Sequence, residues 1–335
     1  MAGADRIAEN LNDALHHVFA DYRDAYLVGE DVSDPYGGAF KVSRGLSTKY
    51  PDRVLSTPIS ENGLLGLCNG LALCGNRVIA EVMFGDFALL AFDQICNFAA
   101  KSVSMYGHAK AMNLVIRCPV GGHRGYGPTH SQAVHKHFLG IPDLSLFEVT
   151  PFHDNRTLLD ELVNLGTPAL LFEEKRLYGS RRFTGGRIDE LFTFEFAGDH
   201  AVSSPGEPGP ADVVLIAPGG ATFTALAAAR SLLLEAEIVC RVITPVRLYP
   251  FDIRPLEDLL GEARLVVVAE EGTEGGGWGA EVAHRVYERL WPRLRHRVVL
   301  VGARPSIVPT ARHLEHEVLL QPERIVAATR EALRG

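Results

Sequence analysis

Two ionisable side chains stand among neighbours that would give them chemistry. Glu61 closes the run Thr57-Pro58-Ile59-Ser60-Glu61 and opens a stretch with helical spacing of apolar residues. A carboxyl group that ends an apolar strand and turn and faces a ring loses water. Its pKa then rises and favours proton sharing. The plainer reading is an N-capping or surface glutamate at a helix start. His130 lies in the glycine-rich loop 121–132, after an apolar run at 114–117. An imidazole there can donate to a developing oxyanion or pass a proton near neutral pH, although loop histidines are also often simply solvated. Phe87 offers an aromatic face and Met83 an adaptable apolar surface, both suited to a flat heterocycle and both equally at home in a core. Glu30 follows glycine at a strand end, where an acid also serves turn chemistry.

Two other patterns carry less. Gly275–Ala280 superficially fits a dinucleotide-binding turn, but the acid wanted about 20 residues on is replaced by a basic stretch at 289–297. His130, His135 and His137 lack the helical zinc spacing with glutamate.

The elements that must hold these residues follow from periodicity. Short β-branched runs at 25–28, 77–84, 114–117, 169–173, 213–217, 238–243, 265–269 and 298–301 read as strands. Helical patterns at 61–74, 87–101, 154–165, 222–234, 279–290 and 322–333 alternate with them, with Asp154 as an N-cap and Pro322 as a first helical residue. Such alternation predicts an α/β chain of two domains, each a mostly parallel sheet flanked by helices. Gly, Pro and Ser accumulate at 198–211, which places domains at 1–197 and 212–335 with a linker between. Gly63, Gly66, Gly70 and Cys74 make a small-residue stripe, which suits either a packed helix pair or a neighbouring strand.

A net charge of −8 argues against nucleic-acid binding. No apolar run is long enough to cross a bilayer. The N-terminal stretch, with Asp5, Glu9 and Asp13 among apolar residues at helical spacing, reads as an amphipathic surface helix rather than a targeting segment. Five cysteines without a C-x-x-C pair suggest reduced thiols and a cytoplasmic protein.

An ordered set of motifs then narrows the reading: Gly-Glu-Asp-Val (29–32), Gly-Gly-Ala-Phe-Lys-Val-Ser-Arg-Gly-Leu (37–46), Thr-Pro-Ile-Ser-Glu-Asn-Gly (57–63), Phe-Asp-Gln-Ile (92–95), Arg-Cys-Pro-Val-Gly-Gly (117–122), Gly-Pro-Thr-His-Ser-Gln (127–132), Glu-Glu-Lys-Arg-Leu-Tyr (173–178) and Glu-Glu-Gly-Thr-Glu-Gly-Gly-Gly-Trp-Gly-Ala-Glu (270–281). In this order, across essentially the whole chain, they resemble the β subunits of pyruvate, branched-chain 2-oxoacid and acetoin dehydrogenase E1 enzymes. That resemblance implies a transketolase-like pyrimidine-binding domain followed by a transketolase C-terminal-like domain. It implies thiamine diphosphate as cofactor, with Glu61 hydrogen-bonded to N1′ of its aminopyrimidine. Glu30, Ile59, Ser60, Met83 and Phe87 would lie around that ring, and His130 would assist acyl transfer.

The family's metal-binding Gly-Asp-Gly is missing here, so Mg2+ and the diphosphate are expected on a partner α subunit, in an α2β2 heterotetramer that decarboxylates a 2-oxoacid and passes the acyl group to a lipoyl-bearing acyltransferase. Several positions depart from the family pattern. His123 stands for a glycine, His135 for a glutamate, Pro-Val-Arg-Leu-Tyr (245–249) is one residue short, and Pro142–Asp154 differs where the family binds a monovalent cation. An acyl or ketol transferase with another acceptor, or a non-catalytic assembly subunit, therefore stays open.

Overall fold

The computed structural model describes residues 6–107, 109–206 and 209–334, so Asp5 of the expected N-terminal helix and positions 207 and 208 of the expected linker lie outside the described residues. The chain forms two compact units. The first takes in residues up to 120 together with 138–149 and 153–182; the second takes in 121–137, 150–152 and everything from 183 onward.

The first unit runs α1 (Ile7–Asp21), β1 (Ala25–Gly29), α2 (Leu46–Lys49), β2 (Val54–Ser56), α3 (Glu61–Leu73), β3 (Arg77–Glu81), α4 (Gly85–Ala88), β4 (Leu114–Val120), β5 (Ser145–Glu148), α5 (Asn155–Leu162) and β6 (Ala169–Glu174). Its strands lie in the order β5-β6-β4-β3-β1-β2, all parallel. Strands β4, β5 and β6 are buried along their whole length, as expected of a sheet covered on both faces. From β1 the chain steps outward to β2, then returns to β3 on the other side. Parallel α/β sheets bind ligands outside the carboxyl ends of their strands at such a switch point. Glu30 follows β1 directly, and Met83 lies just beyond β3.

Helix α1 buries Ile7, Leu11, Ala14, Leu15 and Val18, the face that the spacing predicted. Its buried Asn10 ties it to α5: Nδ2 donates to Asp154 (3.0 Å), and Oδ1 accepts from the Asn155 amide (2.9 Å). Asp154 itself caps α5 by accepting the Arg156 N–H at 3.1 Å.

The helix expected over 87–101 is interrupted. Its place is taken by α4, a 3-10 turn at Leu89–Ala91 and a π-helical segment at Gln94–Ala100. Fully buried Asn69 of α3 donates to the Gln94 carbonyl at 3.0 Å, where the π-helical segment begins. The small-residue stripe of α3 has no strand against it. Leu64, Leu65 and Cys68 face inward, whereas a Cβ added at Gly70 would meet nothing and one at Gly66 only the end of Gln94.

The second unit runs β7 (Phe192–Ala197), β8 (His200–Pro205), β9 (Val213–Ile216), α6 (Ala221–Ala236), β10 (Cys240–Pro245), β11 (Arg247–Tyr249), α7 (Glu257–Glu262), β12 (Leu265–Thr273), α8 (Trp278–Leu290), β13 (Val299–Ala303), α9 (Arg312–Val318) and α10 (Pro322–Arg334). Its sheet has the order β13-β12-β9-β10-β8-β7; β9, β10, β12 and β13 are parallel, and β8 and β7 add an antiparallel hairpin. Val213, Leu215, Val242 and Val267 pack with Ala225, Ala229 and Leu232 of α6 and with Ile325 of α10.

The stretch read as a linker is thus partly structured. Its first half is β8, turned back on β7 through Gly198-Asp199 with Gly198 at φ +60°. A Gly-Asp turn between two extended runs is a hairpin signal that the Ser and Pro residues of 203–205 mask. No helix among the described residues is long and apolar enough to cross a membrane.

Candidate active site

Three of the expected site residues meet at the carboxyl edge of the first sheet. Ser60 is the N-cap of α3, its Oγ accepting the Gly63 N–H at 3.3 Å. Glu61 is therefore not the cap. Nor is it a surface residue, being only 7% exposed. Among the described residues its carboxylate makes no hydrogen bond; its electrostatic neighbour is Glu30, also buried. Glu30 in turn accepts the Ser60 backbone N–H at 3.1 Å, which pins the turn that presents Glu61. Burial, and next the Glu61 charge, push the Glu30 carboxyl above its ordinary pKa. In the same turn the Thr57 hydroxyl is enclosed and makes no hydrogen bond among the described residues.

The apolar candidates are not core residues. Ile59 is 84% exposed, and Met83 and Phe87 are half-buried beyond β3, Phe87 packing edge-on against Phe84 at 6.0 Å. A hydrogen bond and mutual charge join Glu30, Ser60 and Glu61.

Beneath this edge lies a charged network to which the sequence reading assigned no role. Arg117, in the middle of β4, is 1% exposed. Its Nη1 donates to Glu81 (2.8 Å), while Nε and Nη2 form a fork on Glu173 (2.6 and 2.9 Å). Tyr178 donates to Glu173 as well, at 2.7 Å. One guanidinium serves two carboxylates, so negative charge is in excess. Burial pushes Glu81 above the usual carboxylate range despite the opposing pull of Arg117. Glu81 also accepts the Ala39 N–H at 2.6 Å and so holds the 37–45 loop. That loop is strained: Phe40 and Lys41 are both left-handed at φ +54° and +63°, and Phe40 stacks on Tyr178. A Cβ at Gly38 would collide with the Glu81 carboxylate. Asp34, accepting from Gly45, Ser47 and Thr48, fastens the other end. The available signal was an arginine inside an otherwise apolar run, since a charge in a doubly covered strand must be paired.

His130 belongs to the second unit. Its Nδ1 lies 2.8 Å from the Thr129 hydroxyl. The loop that carries it is held by two buried acids. Glu271 of β12 accepts the Gly122 N–H (2.6 Å) and faces His123 Nε2 (3.1 Å), and Glu315 of α9 accepts the Gly125 N–H at 3.2 Å. His123 takes this position at φ +65°, a conformation a glycine would reach without strain.

Residues 6–181 match the family described as the transketolase pyrimidine-binding domain, and residues 207–325 match the transketolase C-terminal domain. The chain is 32% identical over 328 residues to the pyruvate dehydrogenase E1 component subunit beta-1 of Oryza sativa, covering 97% of this chain and 86% of that one. The chain belongs to the E1 β-subunit family. It is also 30% identical to the acetoin:2,6-dichlorophenolindophenol oxidoreductase subunit beta of Cupriavidus necator, with 97% and 96% of the two chains covered. A solved structure described as a split-gene transketolase, an inactive β4 tetramer, shares the fold at a TM-score of 0.76 with 23% identity, covering 99% of both chains. The family's expected two-domain plan, mostly parallel sheets flanked by helices, is the one observed.

Proposed function

We propose that this chain is the β subunit of a two-subunit, thiamine-diphosphate-dependent 2-oxoacid dehydrogenase in which Glu61 holds N1′ of the cofactor's aminopyrimidine. The carrying observation is the Glu61 carboxylate itself: buried, without a hydrogen bond among the described residues, and beside a second buried carboxylate. Two acids so placed favour sharing a proton, and a ring nitrogen is a fitting partner for it. The unpaired Thr57 hydroxyl suits the same enclosed polar ligand.

When bound, thiamine diphosphate supplies a nucleophilic carbon and an electron sink for the pair left as CO2 departs. Glu61 keeps a proton between its carboxyl and the ring nitrogen. Glu30 holds the Ser60 amide and thereby the turn. Ile59, Met83 and Phe87 give the flat ring apolar surface, the exposed Ile59 awaiting cover from a partner chain. His130 moves a proton during acyl transfer. Mg2+ and the diphosphate are assigned to an α subunit, in an α2β2 assembly whose acyl acceptor is a lipoyl arm. The pyrimidine-binding domain read from the sequence as 1–197 and the C-terminal-like domain from 212 frame this division of labour. The His123–Glu271 contact, on the loop that carries His130, favours keeping a second acceptor, another carbonyl compound, in view.

Co-expression with an α subunit and assay of 2-oxoacid-dependent CO2 release with an artificial electron acceptor tests the proposal. Activity should appear only in the complex. Glu61→Ala should abolish it, whereas His130→Ala should chiefly slow acyl transfer to lipoamide. If no 2-oxoacid supports CO2 release, the dehydrogenase reading fails.

A further inference from the structure

His130 is held by a backbone with little shape of its own. From 121 to 127 every second residue is left-handed: Gly121 at φ +85°, His123 at +65°, Gly125 at +68° and Gly127 at +76°. Glycine-rich chain loses more freedom on folding than any other, so contacts from outside must hold it. The Gly121 N–H closes the base of the loop by donating to the Gln132 carbonyl (3.1 Å). His130 is tied to the middle of the loop, its own N–H donating to the Gly127 carbonyl at 3.4 Å.

The mould for this loop is the segment from Thr310 through α9 to Leu319, which belongs to the same unit. Glu315 is 2% exposed, and its two carboxylate oxygens share the Gly125 N–H at 3.3 and 3.2 Å. Among the described residues that carboxylate makes no other hydrogen bond, so all of its bonding is directed at the loop. A bond from a charged acceptor is of the stronger kind. The loop also lies flush against the segment. A Cβ at Gly127 would stand 2.5 Å from the Thr310 hydroxyl oxygen, one at Gly122 would stand 2.5 Å from Leu319 Cδ1, and one at Gly125 would press on the Thr310 carbonyl at 3.3 Å.

We propose that Glu315 is a positioning residue for acyl transfer. By fixing Gly125 it sets the Gly127 carbonyl, and through that carbonyl the place of His130. Thr310 and Leu319 set how closely the loop approaches. The inference rests on the reading of His130 as the residue that serves acyl transfer. A displacement of about 1 Å can cost on the order of a hundredfold, and here the loss falls on the step that uses His130 rather than on the earlier release of CO2.

The complex with an α subunit carries the test. The readout is the ratio of lipoamide acylation to CO2 release with an artificial electron acceptor, which does not depend on the fraction of enzyme that is folded. Glu315→Met, similar in length but unable to hold the Gly125 N–H, should lower this ratio by at least about tenfold. Glu315→Gln keeps an acceptor oxygen and should stay within about threefold of wild type. In a His130→Ala background, Glu315→Met should lower the ratio by less than about twofold further, because residues that act as a unit are not additive. If Glu315→Met does not assemble, Gly127→Ala, whose Cβ meets Thr310, takes its place in the same cycle with the same expected fall. A smaller fall, a Gln variant as impaired as the Met variant, or a loss that adds in full to that of His130→Ala would each overturn the proposal and leave the reading of His130 standing. A His130→Ala complex with an unchanged ratio would overturn that reading, and this inference with it.

Discussion

Replacing Arg117 by Met removes one positive charge from between two buried acids, and its cost can be worked from the geometry. The guanidinium bonds Glu81 at 2.8 Å and Glu173 at 2.6 and 2.9 Å. With charge centres roughly 4 Å apart and an effective dielectric of about 20, each pair contributes about 4 kcal/mol of attraction, hence about 8 kcal/mol for two. Desolvation of the three ions offsets much of this at several kcal/mol each, which is why such networks add little to stability while intact. Removing one member alone is different, because the acids stay buried without compensation, and the expected loss is about 3–5 kcal/mol.

Glu81 already has a raised pKa, and without Arg117 it rises further. An acid with a raised folded pKa withdraws stability as pH climbs from the ordinary carboxylate range through its own value. The penalty of Arg117→Met should therefore be larger at pH 8 than at pH 5. Adding Glu173→Gln should recover part of it.

Two compact units make a single global unfolding transition a poor measure. Native-state hydrogen exchange on peptides spanning 77–81, 114–120 and 169–174 is the suitable assay, with the Ala39 amide as a reporter of the loop. A loss below about 1 kcal/mol, or one equal at both pH values, would refute the view that Arg117 is the required counter-ion.

Two further outcomes follow from the same physics. Glu30 is raised first by burial and then by Glu61, so the cofactor-free chain should lose stability as pH rises through its carboxyl; Glu30→Gln should flatten that slope between pH 5 and pH 8 in native-state hydrogen exchange of peptides spanning 25–30 and 60–73, and an unchanged slope would sink the argument. Asp154 is the opposite case. Burial pushes its pKa up, but the Asn10 and Arg156 hydrogen bonds prevail and lower it, so its contribution is present above the ordinary carboxylate pKa and is lost as pH falls through the depressed value. Asp154→Ala should cost about 1 kcal/mol for the cap, read by exchange in α5, with the cost shrinking in acid.

Periodicity was enough to find the strands β1, β3, β4, β6, β9, β10, β12 and β13, because buried parallel strands are continuous apolar runs. It failed for β2 and β5, three and four residues long, whose pairing with a neighbour rather than their own pattern makes them strands, and it also missed β11 and the antiparallel β7 and β8. Strand β5 sits within Pro142–Asp154. The π-helical segment leaves no mark on the apolar spacing of 87–101, and the Asn69 contact to Gln94 at its start comes from a different helix.

At the site, Glu61 was legible through its motif, yet sequence could not say whether it caps α3. Ser60 does, which leaves the Glu61 carboxylate available. The Glu81–Arg117–Glu173 network was invisible as a unit because its members are 36 and 56 residues apart and meet only across the sheet.

The central claim is that Glu61 activates the cofactor. The direct measurement is the rate at which the C2 proton of thiamine diphosphate exchanges with solvent in the complex with an α subunit, comparing wild type with Glu61→Gln. The account predicts that exchange slows by at least about a hundredfold, the ordinary scale of a lost acid–base group, while the cofactor still binds. Exchange at the wild-type rate in a folded, cofactor-loaded Glu61→Gln complex would contradict it.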